Sequence, residues 1–434
     1  MASIYDFLSE DSGLITGTVN GFLPRSALNP LKKVNQDKVD ILIKEGDSVK
    51  EGQVIARSSE TNVHSSIPGK IKQIIHTNFA DGSEGYAAEI ELSGAFTFTG
   101  KKTITSDWKS LEPSAICYML QDKGVLNTFG EAQPLNIQIK NLNKESAGIV
   151  VVRLYSEDPS RISDSFITDH YLDKIIQGGA ITAKAMGAKA IVFACDSNKD
   201  LSQFDSNQFY KEINIEHGFV SLDAKSYPCG FMHEITQAVK EKYKNSLLKK
   251  LGNRDLFIDV QTALNVYTAV CEGKPVINCH IHITGDCLNA ASVATVKIGT
   301  TLEDLVKQTG NFKRKLAKII INGVVTGNTI DSLGIPVSKD VKSVAFVPKN
   351  QIQDQIEENC IRCGNCTKIC PVGLYPESLY RSFISKNEDI DYQNIVKKTA
   401  EICTGCSLCN SVCPSRIPLS QIIAQIKTGK SDEK

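Results

Sequence analysis

The sequence predicts a multidomain chain of α/β plus β class that closes in an all-helical segment. Three observations carry this reading: short alternating apolar strands cut by glycine turns over 38–75, strands alternating with helices from about 113 to 245, and eight of the fourteen cysteines in two equally spaced blocks near the C-terminus. A chain of 434 residues, 41% hydrophobic and 23% charged, has material for roughly two to four cores. Lys plus Arg equals Asp plus Glu at 49 each, so no basic footprint for nucleic acid or anionic lipid is visible.

The first residues, "MASIYDFLSEDSGLITGTVNGFLP", lack the basic start and apolar core of a secretory signal, and nowhere do about eighteen apolar residues run together. Cytoplasmic exposure is expected, with no direct membrane span. Many cysteines without an export signal point to metal rather than to disulfides.

Residues 1–105 are expected to form the first domain. Within it, "KVDILIKEGDSVKEGQVIARSSETNVHSSIPGKIKQII" carries turns at Glu45-Gly46-Asp47, Glu51-Gly52-Gln53 and Pro68-Gly69, a pattern that resembles the barrel-sandwich hybrid, or lipoyl-like, fold. A carrier of that type needs a lysine on the exposed hairpin, and there is none between Arg57 and Lys70. The segment reads as a docking or scaffolding domain, with His64 as a surface or packing residue.

Residues 106–250 are expected to form a three-layer α/β domain. Strands "AGIVVVRLY" (147–155), "KAIVFAC" (189–195) and "INIEHGFVSL" (213–222) flank a long helical stretch, "DHYLDKIIQGGAITAKAMGA". Such domains commonly cradle a nucleotide phosphate on a glycine-rich loop, but here the corresponding place reads "GVLNTFGEAQP". Residues 251–350 read as a small α+β domain resembling the β-grasp: a helix, "VQTALNVYTAVCEG", then short strands around one further helix. His280 and His282 share one strand face, but no nearby cysteine or carboxylate completes a metal site, so they read as a strand-surface pair.

Residues 351–434 hold "CIRCGNCTKICP" and "CTGCSLCNSVCP", both C-x2-C-x2-C-x3-C-P. This is the spacing of bacterial two-cluster ferredoxins, in which the fourth cysteine of each block crosses to the other cluster. By that logic one [4Fe-4S] centre takes Cys360, Cys363, Cys366 and Cys413, and the other takes Cys403, Cys406, Cys409 and Cys370. Zinc knuckles also use C-x2-C, but a zinc site has no use for the doubled third cysteine and proline. Gly364, Asn365, Gly405 and Ser407 are small, as backbone close to a cluster requires. The insert between the blocks is expected to be helical over 376–386 and 391–402. The other thiols, Cys117, Cys195, Cys229, Cys271, Cys279 and Cys287, read as free buried cysteines.

In this order the parts resemble RnfC, the peripheral iron–sulfur subunit of the Rnf ion-translocating electron-transport complex, whose middle is similar to the flavin-carrying subunit of respiratory complex I. "EGDSVKEGQVIA" with "SSIPGKI", "YPCG" (227–230) and "VQTALNVYTAVCEGKPVINCHIHITGD" carry the resemblance beyond the cysteines. It implies a complex-I flavin-subunit-like α/β domain, an SLBB-like β-grasp domain, and membrane and redox partner subunits that hold the chain on the cytoplasmic face of the inner membrane. Family members place roughly G-x-G-G-x-G-F-P where this chain has "LNTFGEAQP", so only Gly130 and Pro134 remain of the flavin loop. Asn127, Thr128, Phe129 and Glu131 fill it, "YSEDP" (155–159) stands for the family's E-x-E-P, and the lysine that follows Y-P-x-G is absent.

Weak or lost FMN and NADH binding is the expectation, with no catalytic acid–base or nucleophilic set. Independent NADH dehydrogenase activity is therefore doubtful. The function expected is relay of single electrons through the two clusters, between a soluble carrier such as ferredoxin and membrane redox subunits. FMN-dependent NADH oxidation through a non-standard loop, and a redox-sensing or assembly scaffold, stand as alternatives.

Overall fold

The structure is a computed structural model, and it describes residues 18–20, 23–34, 38–93, 107–142, 148–198, 215–351, 356–385 and 389–428. The N-terminal stretch read against a secretory signal therefore lies mostly outside the described residues. Described residues fall into two compact units, one within Met1–Gly230 and Ile235–Lys349, the other within Phe231–Glu234 and Asn350–Lys434.

In the first unit, Thr18–Asn20 (β1) is followed by Ser26–Lys33 (β2), Val39–Ile41 (β3), Ser48–Val49 (β4), Val54–Ser58 (β5), Asn62–His64 (β6), Gly69–Asn78 (β7) and Glu84–Leu92 (β8). Two small sheets form, in the orders β2-β8-β7-β4 and β3-β5-β6. Alternation puts Ala27, Leu31, Ile55, Ile71, Ala88 and Ile90 into one core while Lys70 and Lys72 face solvent. The β5–β6 hairpin is not free: Gln121 Nε2 donates to Ser59 O at 2.9 Å, and Asn62 Nδ2 donates to Asp122 Oδ1 at 3.3 Å. His64 is buried there, so it is a packing residue rather than a surface one.

The next elements are Pro113–Asp122 (α1), Leu126–Asn127 (β9), Gln133–Pro134 (β10), Leu135–Leu142 (α2), Ile149–Arg153 (β11), Ser163–Met186 (α3), Ala190–Asp196 (β12), Glu216–Leu222 (β13), Met232–Lys242 (α4), Leu256–Asp259 (β14) and Val260–Cys271 (α5). Strands β13-β12-β11-β14 form a wholly parallel sheet. All five residues of β11 are buried, as expected when helices cover both faces. Helix α3 packs closely on α5, and a Cβ on Gly178 would overlap the Ala263 carbonyl.

Two boundaries differ from the sequence reading. β14 and α5 were expected beyond residue 250, in the third domain, but β14 pairs in parallel with β11 and completes the α/β sheet. The strand is four residues long and carries no periodic signal of its own. Thr18–Asn20, expected in the first domain, pairs in parallel with β16 of the third.

Asn278–Thr284 (β15), Ser292–Lys297 (β16), Leu302–Gln308 (α6), Leu316–Ile321 (β17), Asn328–Ile330 (β18) and Ser343–Pro348 (β19) follow. With β1 they make a mixed six-stranded sheet, β1-β16-β15-β19-β17-β18, whose core is continuous with that of the α/β layer.

The second unit contains Asn365–Ile369 (α7), Pro376–Ser385 (α8), Ile390–Glu401 (α9), Leu408–Ser411 (α10) and Leu419–Thr428 (α11), and no strand among its described residues. α8 and α9 lie within one residue of the expected insert helices. Among the described residues no helix is long and apolar enough to cross a membrane.

Candidate cluster sites and the loop of the α/β domain

Each cysteine block folds into the same short piece of structure. The residues on either side of its second cysteine are both left-handed: Arg362 and Gly364 around Cys363, Ser407 and Gly405 around Cys406. Three residues past each fourth cysteine the chain turns left-handed again, at Gly373 and Arg416. For Arg362, Ser407 and Arg416 that geometry costs about 1 kcal/mol each. The turns aim backbone donors at sulfur: Leu374 N donates to Cys370 Sγ at 3.3 Å, and Gly405 N to Cys403 Sγ at 3.4 Å.

The eight cysteines line two cavities. Cys360, Cys363, Cys366 and Cys413 line one, against Ile417 and Leu419; Cys370, Cys403, Cys406 and Cys409 line the other, against Leu374 and Ile423. Each offers about 340 Å³ of free space, open solvent included. Cys413 thus faces the cavity of the first block and Cys370 that of the second. Cys363 is exposed, while Cys366, Cys406 and Cys409 are buried.

A [4Fe-4S] cubane needs four thiolates around a space wider than one ion, walls that limit water, and N–H donors to sulfur. Both cavities offer the thiols and the walls, and the two N–H donors just named serve Cys370 and Cys403 of the second. Zinc would instead draw four ligands to about 2.0–2.3 Å from one point. The remaining six cysteines line neither cavity: Cys117 is half-buried and the rest are buried, with burial pushing the Cys195 and Cys229 thiols up to about 12.

The loop of the α/β domain is closed on itself. Asn127 Nδ2 donates to Phe257 O and to Gln138 Oε1, both at 2.8 Å. Thr128 N donates to Thr262 Oγ1 at 3.0 Å, and Phe129 N to Asn127 Oδ1 at 3.1 Å. Thr128 Oγ1 donates to Asp259 Oδ2 at 2.7 Å, while Lys342 Nζ donates to Thr128 O at 2.6 Å and is ion-paired with Asp259. The Phe129 ring lies over the Arg153 guanidinium, 4.3 Å from centroid to Cζ. Arg153, fully buried, donates to Tyr155 O and Gly230 O and pairs with Glu157 of the "YSEDP" stretch.

Gly130 has no atom within 4 Å of a built Cβ and no left-handed φ, so nothing in the loop requires a glycine. The N–H groups of residues 128 and 129, which a phosphate would need, already donate to protein atoms. These residues do not fit an FMN phosphate. Glu131, the other residue that replaces the loop's glycines, is exposed.

Burial alone would push the Asp259 carboxyl up, but the Lys342 ammonium and hydrogen bonds from Lys342 and Thr262 outweigh it and hold the group at about 2. His280 and His282 are not a strand-surface pair. His280 Nδ1 lies 3.0 Å from Gln261 Oε1, His282 is buried, and burial holds both rings at about 4, helped by His170 and Arg161 respectively.

Asp259 and Lys342 escaped the sequence reading. An aspartate just before a helix with a threonine three residues on is an N-cap pattern that could have flagged the first. The lysine lies 83 residues away, with no local signal.

Comparison with known proteins gives three family matches: an RnfC barrel sandwich hybrid domain over 17–95, a Nuo51 FMN-binding domain over 120–269 and a 4Fe-4S dicluster domain over 356–417. The C subunit of the proton-translocating ferredoxin:NAD(+) oxidoreductase complex of Clostridium ljungdahlii is 24% identical, with 82% of this chain and 78% of that protein aligned. Its counterpart in the Na(+)-translocating ferredoxin:NAD(+) oxidoreductase complex of Acetobacterium woodii is 22% identical over 77% of this chain and 76% of its own length. The corresponding subunit of an ion-translocating oxidoreductase complex of Buchnera aphidicola is 23% identical, covering 90% and 81%. Among solved structures, a chain of an NAD+-reducing [NiFe]-hydrogenase in the H2-reduced state aligns with TM-score 0.49 and 12% identity over 79% of this chain and 67% of its own.

Proposed function

Because this is an RnfC-like chain, we propose that it relays single electrons between a soluble carrier of the ferredoxin class and membrane redox subunits of an Rnf-type complex. The observation that supports this best is the pair of cavities, each lined by three cysteines of one block and the fourth of the other. Cys360, Cys363, Cys366 and Cys413 hold one [4Fe-4S] centre, and Cys370, Cys403, Cys406 and Cys409 hold the second. When bound, such a centre supplies a one-electron couple tuned by hydrogen bonds to its sulfurs and by exposure. The left-handed turns aim Leu374 and Gly405 N–H at sulfur, Ile417 and Leu419 exclude water, and Cys363 leaves one edge open to a partner.

The barrel-sandwich domain serves docking, its hairpin being held by α1 instead of free to swing. The six-stranded sheet is assigned to the SLBB-like β-grasp. The chain sits on the cytoplasmic face through its partner subunits.

The matched Nuo51 FMN-binding domain favours a second reading, NADH oxidation through FMN. One experiment separates the two. The chain is reconstituted anaerobically with iron and sulfide, FMN is added in excess, and bleaching of the cluster absorbance is followed with NADH or with reduced ferredoxin. Bleaching by ferredoxin alone is expected. Bleaching by NADH would establish the second reading, and bleaching by neither would remove both and leave a scaffold or sensor.

A further inference from the structure

In an open α/β sheet, the helix N-terminus at the carboxyl end of a parallel strand is where a nucleotide phosphate is held, by free backbone N–H groups and the helix dipole. β14 leads into the twelve-residue helix α5 at such a place, and Asp259 stands at the junction. Its Oδ1 accepts from Thr262 N at 2.7 Å, and its Oδ2 accepts from Thr128 Oγ1 and from Lys342 Nζ. Asp259, Thr128, Asn127 and Lys342 are all at most about one-twentieth exposed. One N–H of the helix terminus, two N–H groups of the loop and the charge between them are thereby satisfied within the chain.

We propose that the Asp259 carboxylate, neutralised by Lys342, is a built-in substitute for the phosphate of a nucleotide, so that the α/β domain is permanently closed in a cofactor-free form. The chemistry matches on three counts. A carboxylate supplies the negative charge and acceptor oxygens that a phosphate would supply. Lys342 comes from the six-stranded-sheet domain, just before β19, and couples that domain to the loop as a bound ligand would. Phe129 covers Arg153 with an aromatic ring of the chain's own. A phosphate brought to the same place would meet a buried carboxylate at hydrogen-bond range, and no loop N–H at residues 128 or 129 would be free to receive it.

This rests on the closed loop and is independent of the electron-relay reading, whose failure would appear in cluster reduction. The test is anion rescue, followed as the thermal unfolding midpoint of the full cluster-loaded chain under anaerobic conditions. Wild type is expected to show no midpoint shift with inorganic phosphate or FMN beyond that given by chloride at equal ionic strength, and no quenching of added FMN fluorescence. Asp259→Gly is expected to lower the midpoint, and acetate or phosphate to restore part of the loss in a saturable manner. Lys342→Met is expected to lower the midpoint without rescue by either anion. Saturable stabilisation of wild type by FMN or phosphate would overturn the proposal. So would an Asp259→Gly chain that folds with an unchanged midpoint or answers to no anion. Should Asp259→Gly fail to fold, Asp259→Asn with the same anions and the wild-type FMN titration decide.

Discussion

Asp259 is an acid held ionised in a buried place by one lysine. Its folded pKa of about 2 lies below the ordinary 3.8, so the carboxylate contributes stability that is fully present above about 4 and is lost as pH falls through about 2. The shift corresponds to something on the order of 2 kcal/mol, a sizeable part of the margin of a typical domain. Wild type should therefore lose stability between pH 4 and 2, and Asp259→Asn should lose the Asp259 share of that dependence, other depressed carboxylates such as Glu157 keeping theirs, while being less stable at pH 7. Denaturant unfolding at stepped pH checks this; equal acid sensitivity in both chains would remove Asp259 from the account. The residue shows what sequence alone carries. The missing glycines of "LNTFGEAQP" can be read in the sequence, but the contacts the loop makes depend on Lys342, brought in by tertiary folding.

Among the elements, α3 and α5 show how closely the α/β layer is built. The two helices meet at Gly178, where a Cβ would collide with the Ala263 carbonyl, a backbone atom that cannot rotate aside. Gly178→Ala should destabilise the chain by about 1–3 kcal/mol despite its higher helix propensity, read as a lower denaturant midpoint. An unchanged or raised midpoint would mean the helices can move apart.

Element type was legible in the sequence where the hydrophobic pattern was long, as in α3, α8 and α9. Domain membership was less so. β14 is four residues and β1 three, and which sheet receives such a strand is settled by partners far along the chain. The cysteine blocks were the most legible feature, because their spacing dictates local turns: the paired left-handed positions, Arg362 with Gly405, Gly364 with Ser407 and Gly373 with Arg416, repeat one conformation at matching places in the two blocks.

At the scale of the whole molecule, both cysteine-lined cavities belong to the C-terminal unit, while the larger unit is tightly packed. The α/β layer and the six-stranded sheet share one core, the hairpin of the first domain is pinned, and the loop that could take a cofactor is filled by side chains. On the proposed function, such a body would hold the relay in place within a larger assembly.

In the proposed relay each cysteine block donates its fourth ligand to the other block's cluster. The most direct measurement is iron content together with the EPR spectrum of the reduced, anaerobically reconstituted chain, for wild type and for Cys413→Ser, Cys360→Ser and Cys406→Ser. Wild type should hold about eight irons as two [4Fe-4S] centres. Cys413→Ser, though the change lies in the second block, should perturb the same signal as Cys360→Ser and leave intact the one that Cys406→Ser perturbs. A Cys413→Ser spectrum that matches Cys406→Ser instead, or a wild-type chain that takes up zinc in place of iron and sulfide, would contradict the account.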